Sequence, residues 1–204
     1  LFINKIGMHN MKYLILLIIP MVILINILSG SDNISKEKYK YVGVNSCVSS
    51  CHKSESQGNQ EKIWSESKHS KAFETLQTIR ADSIALSKGF NTPAVETPEC
   101  VKCHTTGSIT DVSEFQETFD ITQGVQCESC HGPGSEYKSL SVMKDKERAF
   151  SLGLIIHNEK EKFCIQCHNT ESPTYFQFDY EPMWEMIAHP TPKNIDSENE
   201  SETD

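Results

Sequence analysis

Residues 127–131 read CESCH, and the same design recurs as CVSSCH at 47–52, CVKCH at 100–104 and CIQCH at 164–168. All eight cysteines fall in these four strings, and a histidine follows the second cysteine of each directly. With 8 histidines in 204 residues, four such placements by chance come to (8/204)⁴, about two in a million, so the repeat carries meaning. The intervals between repeats are irregular, which argues against a solenoid and for four sites embedded in one fold.

An even cysteine count in an exported chain usually signals disulfides, and CxxC pairs also build zinc sites. Neither requires a histidine after every pair. In a helical turn, cysteines at i and i+3 and a histidine at i+4 share a face. That is the pattern of covalent c-type haem attachment, in which each thiol adds to a vinyl group and the histidine reaches the iron as proximal ligand. The reading assigns Cys47, Cys51, Cys100, Cys103, Cys127, Cys130, Cys164 and Cys167 to attachment, and His52, His104, His131 and His168 to iron, for four haem c groups. The first site has three residues between its cysteines, so its loop must bulge. The alternative there is a three-haem protein with a Cys47–Cys51 disulfide.

Only 37% of the residues are hydrophobic, and mean hydropathy is −0.43. That is thin material for a protein-only core, and cofactors would supply the remainder. The expected fold is mainly α with much irregular structure, a small multihaem cytochrome c domain organised around four covalent haems. Apoprotein should be unfolded, because too little apolar side-chain area offsets chain entropy.

Lys5 and Lys12 precede an apolar run from Tyr13 to Leu28, interrupted by Pro20 and Asn26 and followed by Ser29, Gly30 and Ser31. This reads as an export signal or an N-terminal membrane anchor over residues 1–31, with His9 outside the mature protein. A polar linker at 32–40, a haem domain at 41–194 and an acidic, disordered tail at 195–204 follow. Of the 19 lysines and arginines two lie in the leader, which leaves 17 against 28 acidic residues, a net charge of −11 for the exported part. Nucleic acid is thereby excluded as a partner. An acidic surface suits a carrier that docks on a basic patch of a redox partner. Thioether attachment after export places the protein in the periplasm, free or anchored to the membrane.

The periodicity over Gln60–Ser87, free of Gly and Pro, predicts a helix with His69, Ala72, Phe73 and Leu76 on one stripe. A second helix is expected from Pro182 to His189, stopped by Pro190 and Pro192. Alternation around Val112, Phe115, Phe119 and Ile121 suggests a short strand within 110–124. His69, His157 and His189 remain as candidate sixth ligands. A histidine there makes a low-spin electron-transfer haem, and an open position makes a high-spin iron that binds small molecules. Met143, Met183 and Met186 could ligate iron but more often fill core.

These residues resemble the tetrahaem cytochrome c-554 family. The likeness rests on YVGVNSCVSSCHKSESQGNQEKIWSESKHSKAF at 41–73, ECVKCHTTG, GVQCESCHGPGS and CIQCHNTESPTY. The resemblance implies that His69 caps the iron of His131, that His189 caps the iron of His168, and that the iron of His104 is five-coordinate. In the family the first haem takes a histidine from the segment just after HGPG, and residues 135–142 here hold none. His157 is the proposed substitute, with Lys138, Tyr137, Met143 or an open site as competitors. The expected function is electron transfer without bond chemistry by side chains. A nitrogen-oxide redox enzyme at the His104 haem and a filament-forming conductive cytochrome are the alternatives.

Overall fold

The computed structural model describes residues 39–48, 50–107 and 114–190, with Ser50 as backbone only. The leader, most of the linker and the acidic tail lie outside the described residues. So does the first part of the expected strand. The described residues belong to one compact unit that starts at Tyr39. Among them no helix is long and apolar enough to cross a membrane.

The unit is mainly helical, in short pieces joined by irregular chain. In order these are α1 (Val44–Cys47), α2 (Ser50–Lys53), α3 (Gln60–Glu66), α4 (Ala72–Leu76), α5 (Ile79–Ser87), α6 (Pro98–His104), α7 (Cys127–His131), α8 (Leu140–Met143), α9 (Lys146–Ser151), α10 (Lys160–Cys164) and α11 (Tyr180–Glu185). The expected helix over Gln60–Ser87 is therefore three helices, and the reason is chemical. Ser67 Oγ donates to the Trp64 carbonyl at 2.7 Å, and Ser70 Oγ to those of Ser65 and Ser67 at 3.0 and 2.9 Å. Thr78 Oγ1 accepts the Ala81 amide at 3.1 Å and caps α5. Hydroxyls that bond nearby backbone offer the chain an alternative to the helical ladder. His69 consequently sits in the break between α3 and α4 instead of on a helical stripe.

Helix α11 begins at Tyr180, with Pro182 in its first turn, and ends four residues short of His189. The expected strand reduces, among the described residues, to a single parallel bridge between Tyr41 and Phe115. There the Phe115 and Phe119 rings stack at 4.3 Å.

Two small apolar clusters serve as core. One joins Leu76, Ala85, Ala94 and Val101, and so seats α4, α5 and α6 together. The other joins Tyr137, Val142 and Ala149, with Met143, Leu152 and Leu154 against it. Between them the packing is polar. Glu128 is 1% exposed, and its carboxylate accepts the amides of Val42 (2.9 and 3.0 Å), Gly43 (2.8 Å) and Gly134 (2.6 Å). Gln126 accepts the Val44 amide at 2.8 Å and donates to the Asp120 carbonyl at 2.8 Å. A buried polar group costs free energy unless it is bonded, so these two side chains fix where the segment at 42–44 must lie. Gly43, at φ 82°, completes the fit, because a Cβ there would stand 3.0 Å from the Thr118 carbonyl oxygen.

Candidate functional site

Each CxxCH string adopts a helical turn where its spacing permits one. Cys100, Cys103 and His104 all lie in α6, and CESCH is α7 itself. In the fourth string Cys164 ends α10, and the turn continues, with the Cys167 and His168 amides donating to the Cys164 carbonyl at 3.2 and 3.0 Å. The first string, with its extra residue, is broken: Cys47 ends α1, Val48 leaves helical geometry at φ −80° and ψ 68°, and Cys51 and His52 fall in α2. Two sulfurs on one face and a histidine behind them are thus available in the second, third and fourth strings.

Two histidine pairs form across motifs. The rings of His69 and His168 stand 6.1 Å apart between centroids, and those of His131 and His189 stand 5.9 Å apart. A metal–imidazole bond is about 2.0–2.1 Å, and two of them with the inner halves of both rings span about 6 Å. One iron between each pair therefore fits. This exchanges the partners that the resemblance implied, which set His69 opposite His131 and His189 opposite His168. The backbone fixes the bend that carries His69. The His69 carbonyl accepts the Val125 amide at 2.9 Å, which holds the bend at 67–71 beside residue 125. Gly124 permits that approach, since a Cβ there would stand 2.5 Å from the His69 carbonyl oxygen. Trp64 Nε1 reinforces it by donating to the Val125 carbonyl at 2.8 Å.

Removal from water holds His69, His131, His168 and His189 below the ordinary histidine range. The rings of His168 and His189 keep a side open to solvent, so the effect is partial there. All four are neutral at pH 7, the form that ligates metal. Their orientation is fixed from behind. His131 Nδ1 lies 3.0 Å from the Ile155 carbonyl, and His104 Nδ1 lies 2.8 Å from the Ala72 carbonyl and 3.1 Å from Thr75 Oγ1. A carbonyl only accepts, so Nδ1 carries the proton in both rings and Nε2 keeps its lone pair for iron. His168 stacks on Phe178 at 4.6 Å, and His157 on Phe163 at 3.9 Å. Within the described residues, His52 and His104 have no histidine at ring-pair distance.

The sulfurs show which motifs adjoin. The neighbouring Cys127 thiol, together with burial, pushes Cys47 up. Burial pushes Cys130 up to about 11, with Cys164 adding to it. Burial and the neighbouring Cys103 push Cys167 up to about 12. Lys102 and Glu171 pair at 3.0 Å across the last of these junctions. The first and third, third and fourth, and fourth and second motifs are thus neighbours, and the second also meets the third, with Thr106 Oγ1 2.6 Å from Ser129 Oγ.

With this geometry in place, the family comparison is decisive for part of the chain: the model of the family described as cytochrome c554 and c-prime matches residues 46–132. Over residues 46–132 the chain is similar to the cytochrome c-554 family. Cytochrome c-554 of Nitrosomonas europaea is 33% identical over 94 residues, which cover 44% of this chain and 37% of that protein. The chain thus spans well under half of the relative it matches. No solved structure matches. The family implies covalently bound haem c and haem-based electron transfer. The matched span holds the first three motifs and His69, while His157, the fourth motif and His189 lie beyond it.

The sequence did not mark Glu128, Gln126, or the carbonyls of Ala72 and Ile155 that orient His104 and His131. Glu128 occupies an interior position of the motif, where the attachment chemistry sets no residue type. Two of its partners, Gly43 and Val42, lie 85 and 86 residues away in the chain.

Proposed function

We propose that the chain is a tetrahaem electron-transfer protein of the periplasm, exported by residues 1–31 and folded as a haem domain over 41–194. The single observation that carries this reading is the pair of cross-motif histidine couples, 5.9 and 6.1 Å between centroids, each with room for one iron.

Haem c, held through these residues, supplies one-electron transfer at iron. The polypeptide does the rest. The cysteines would hold each haem through thioethers, and His52, His104, His131 and His168 would supply nitrogens to the irons. His69 faces His168 and His189 faces His131, which makes both sites electron-transfer sites with low potentials. Phe163 and Phe178 keep water from the faces of His157 and His168. The four motifs adjoin one another within one compact unit, so electrons can pass among the haems they would hold. Acidic residues outnumber basic ones, 28 to 19, which favours partners with basic docking surfaces and association rates that fall as salt rises.

The test is a haem-to-protein ratio combined with the optical and paramagnetic spectra of the oxidised protein. Four haems per chain, mostly low-spin, are expected. Two or fewer haems, or a fully high-spin spectrum, would overturn the reading.

A further inference from the structure

We propose that the buried carboxylate of Glu128, besides holding the segment at 42–44, lowers the reduction potentials of the haems attached through the first and third motifs. The inference rests on the four-haem reading above and assigns a redox role to a residue inside the third motif.

Hydrogen bonding keeps the group ionised. Glu128 Oε1 accepts the amides of Val42 and Gly134 at 2.9 and 2.6 Å, and Oε2 accepts those of Val42 and Gly43 at 3.0 and 2.8 Å. Every partner is a donor, so a proton on either oxygen would displace an amide, and a carboxylate that accepts several amide bonds is held in its charged form. Burial works the other way and pushes the group up, opposed by the same amides. The bonding pattern decides, because among the described residues Glu128 bonds no acceptor that could take a carboxyl proton. The charge is also uncancelled. Among the described residues Glu128 forms no ion pair, and Lys138, which acts on it from a distance, is exposed.

The carboxylate serves two attachment sites. It follows Cys127 directly within α7 and so belongs to the third motif. It reaches the first motif through Gly43, whose amide it accepts and whose carbonyl stands 3.7 Å from the Cys47 thiol. At the corresponding position the other strings carry Val48, Val101 and Ile165, all uncharged, so the charge is particular to this junction. Glu128 is 1% exposed, and water screens a charge so placed far less than one at the surface. Ferric haem carries one more positive charge than ferrous haem. A fixed negative charge beside it favours the oxidised form, and net charge and burial are among the protein's means of setting a potential.

The test is a spectroelectrochemical titration of the full-length holoprotein, wild type against E128Q and E128D, at equal haem content. E128Q should raise two of the four potentials, shifting each of those equilibria about tenfold toward the reduced form, or 59 mV for one electron. E128D keeps the charge and should leave these potentials nearer to the wild-type values. Unchanged potentials in E128Q, an equal rise of all four, or an equal rise in E128D would overturn the proposal, the last because a packing change alone would then explain the shift. Should E128Q lose haem, the wild type still decides: the side-chain carbon of Glu128, followed by nuclear magnetic resonance, should report a carboxylate at pH 7, and a protonated carboxyl would overturn the proposal. Fewer than four haems in the wild type would instead sink the reading on which the inference rests.

Discussion

Residues 39–137 and residues 160–190 both carry attachment motifs, but different forces hold them. The first stretch contains the buried Glu128 and Gln126, the aromatic group of Tyr41, Phe115 and Phe119, and the apolar cluster around Val101. The second contains no buried residue at all, and Phe176 is 88% exposed. Its contacts include ring stacks on histidines, His168 on Phe178 and His157 on Phe163. One stretch is shaped by its own side chains, and the other by the group its histidines and cysteines are built to hold.

Removing the cofactor should break this contrast most severely. The haem-free polypeptide is expected to unfold, since neither apolar cluster is large enough to offset chain entropy, and far-ultraviolet circular dichroism checks it. Near-native dichroism would contradict the account. Removing only the fourth attachment, in C164S/C167S, should free residues 160–190 to rapid amide exchange and proteolysis while the other three haems stay bound. Equal loosening of both stretches would mean that they are not separately supported.

Next in size is E128A. It leaves the amides of Val42, Gly43 and Gly134 buried without an acceptor, and should cost about 3–5 kcal/mol in denaturant unfolding of the holoprotein. E128Q keeps an acceptor and should cost less. If E128A were neutral, the polar centre of the first stretch would not be what holds it.

A smaller effect concerns pH. The folded values of His69, His131, His168 and His189 lie below the unfolded value of about 6.5. A base shifted downward binds fewer protons folded than unfolded. Its contribution is therefore complete above about pH 6.5 and is lost as pH falls through the lower, folded value. The low-spin spectrum should stay constant from pH 8 to below 6.5, and conversion already at pH 7 would contradict the shift. The smallest expected effect is that of K102A. Both partners of the Lys102–Glu171 pair are more than half exposed, so the melting temperature should not move.

The four motifs were legible in the sequence because attachment chemistry is local: thiols and imidazole must sit within one turn wherever the motif occurs. The broken first motif was legible for the same reason, since an added residue cannot fit the turn. Helical character was legible, but the continuity of 60–87 was not, because periodicity does not register that Ser67, Ser70 and Thr78 bond backbone instead of solvent. The histidine partners were the least accessible. The bend that carries His69 is held by Gly124 and Val125, contacts more than 50 residues apart in the chain. Glu128 was hidden at a position that the motif leaves free.

The central claim is that all eight cysteines are consumed by porphyrin attachment. An intact mass of the purified mature protein, together with alkylation of any free thiols, tests it most directly. The account predicts the mass of the polypeptide plus four haems and no alkylated cysteine. A mass equal to the bare polypeptide, or lower by eight hydrogens, would contradict it.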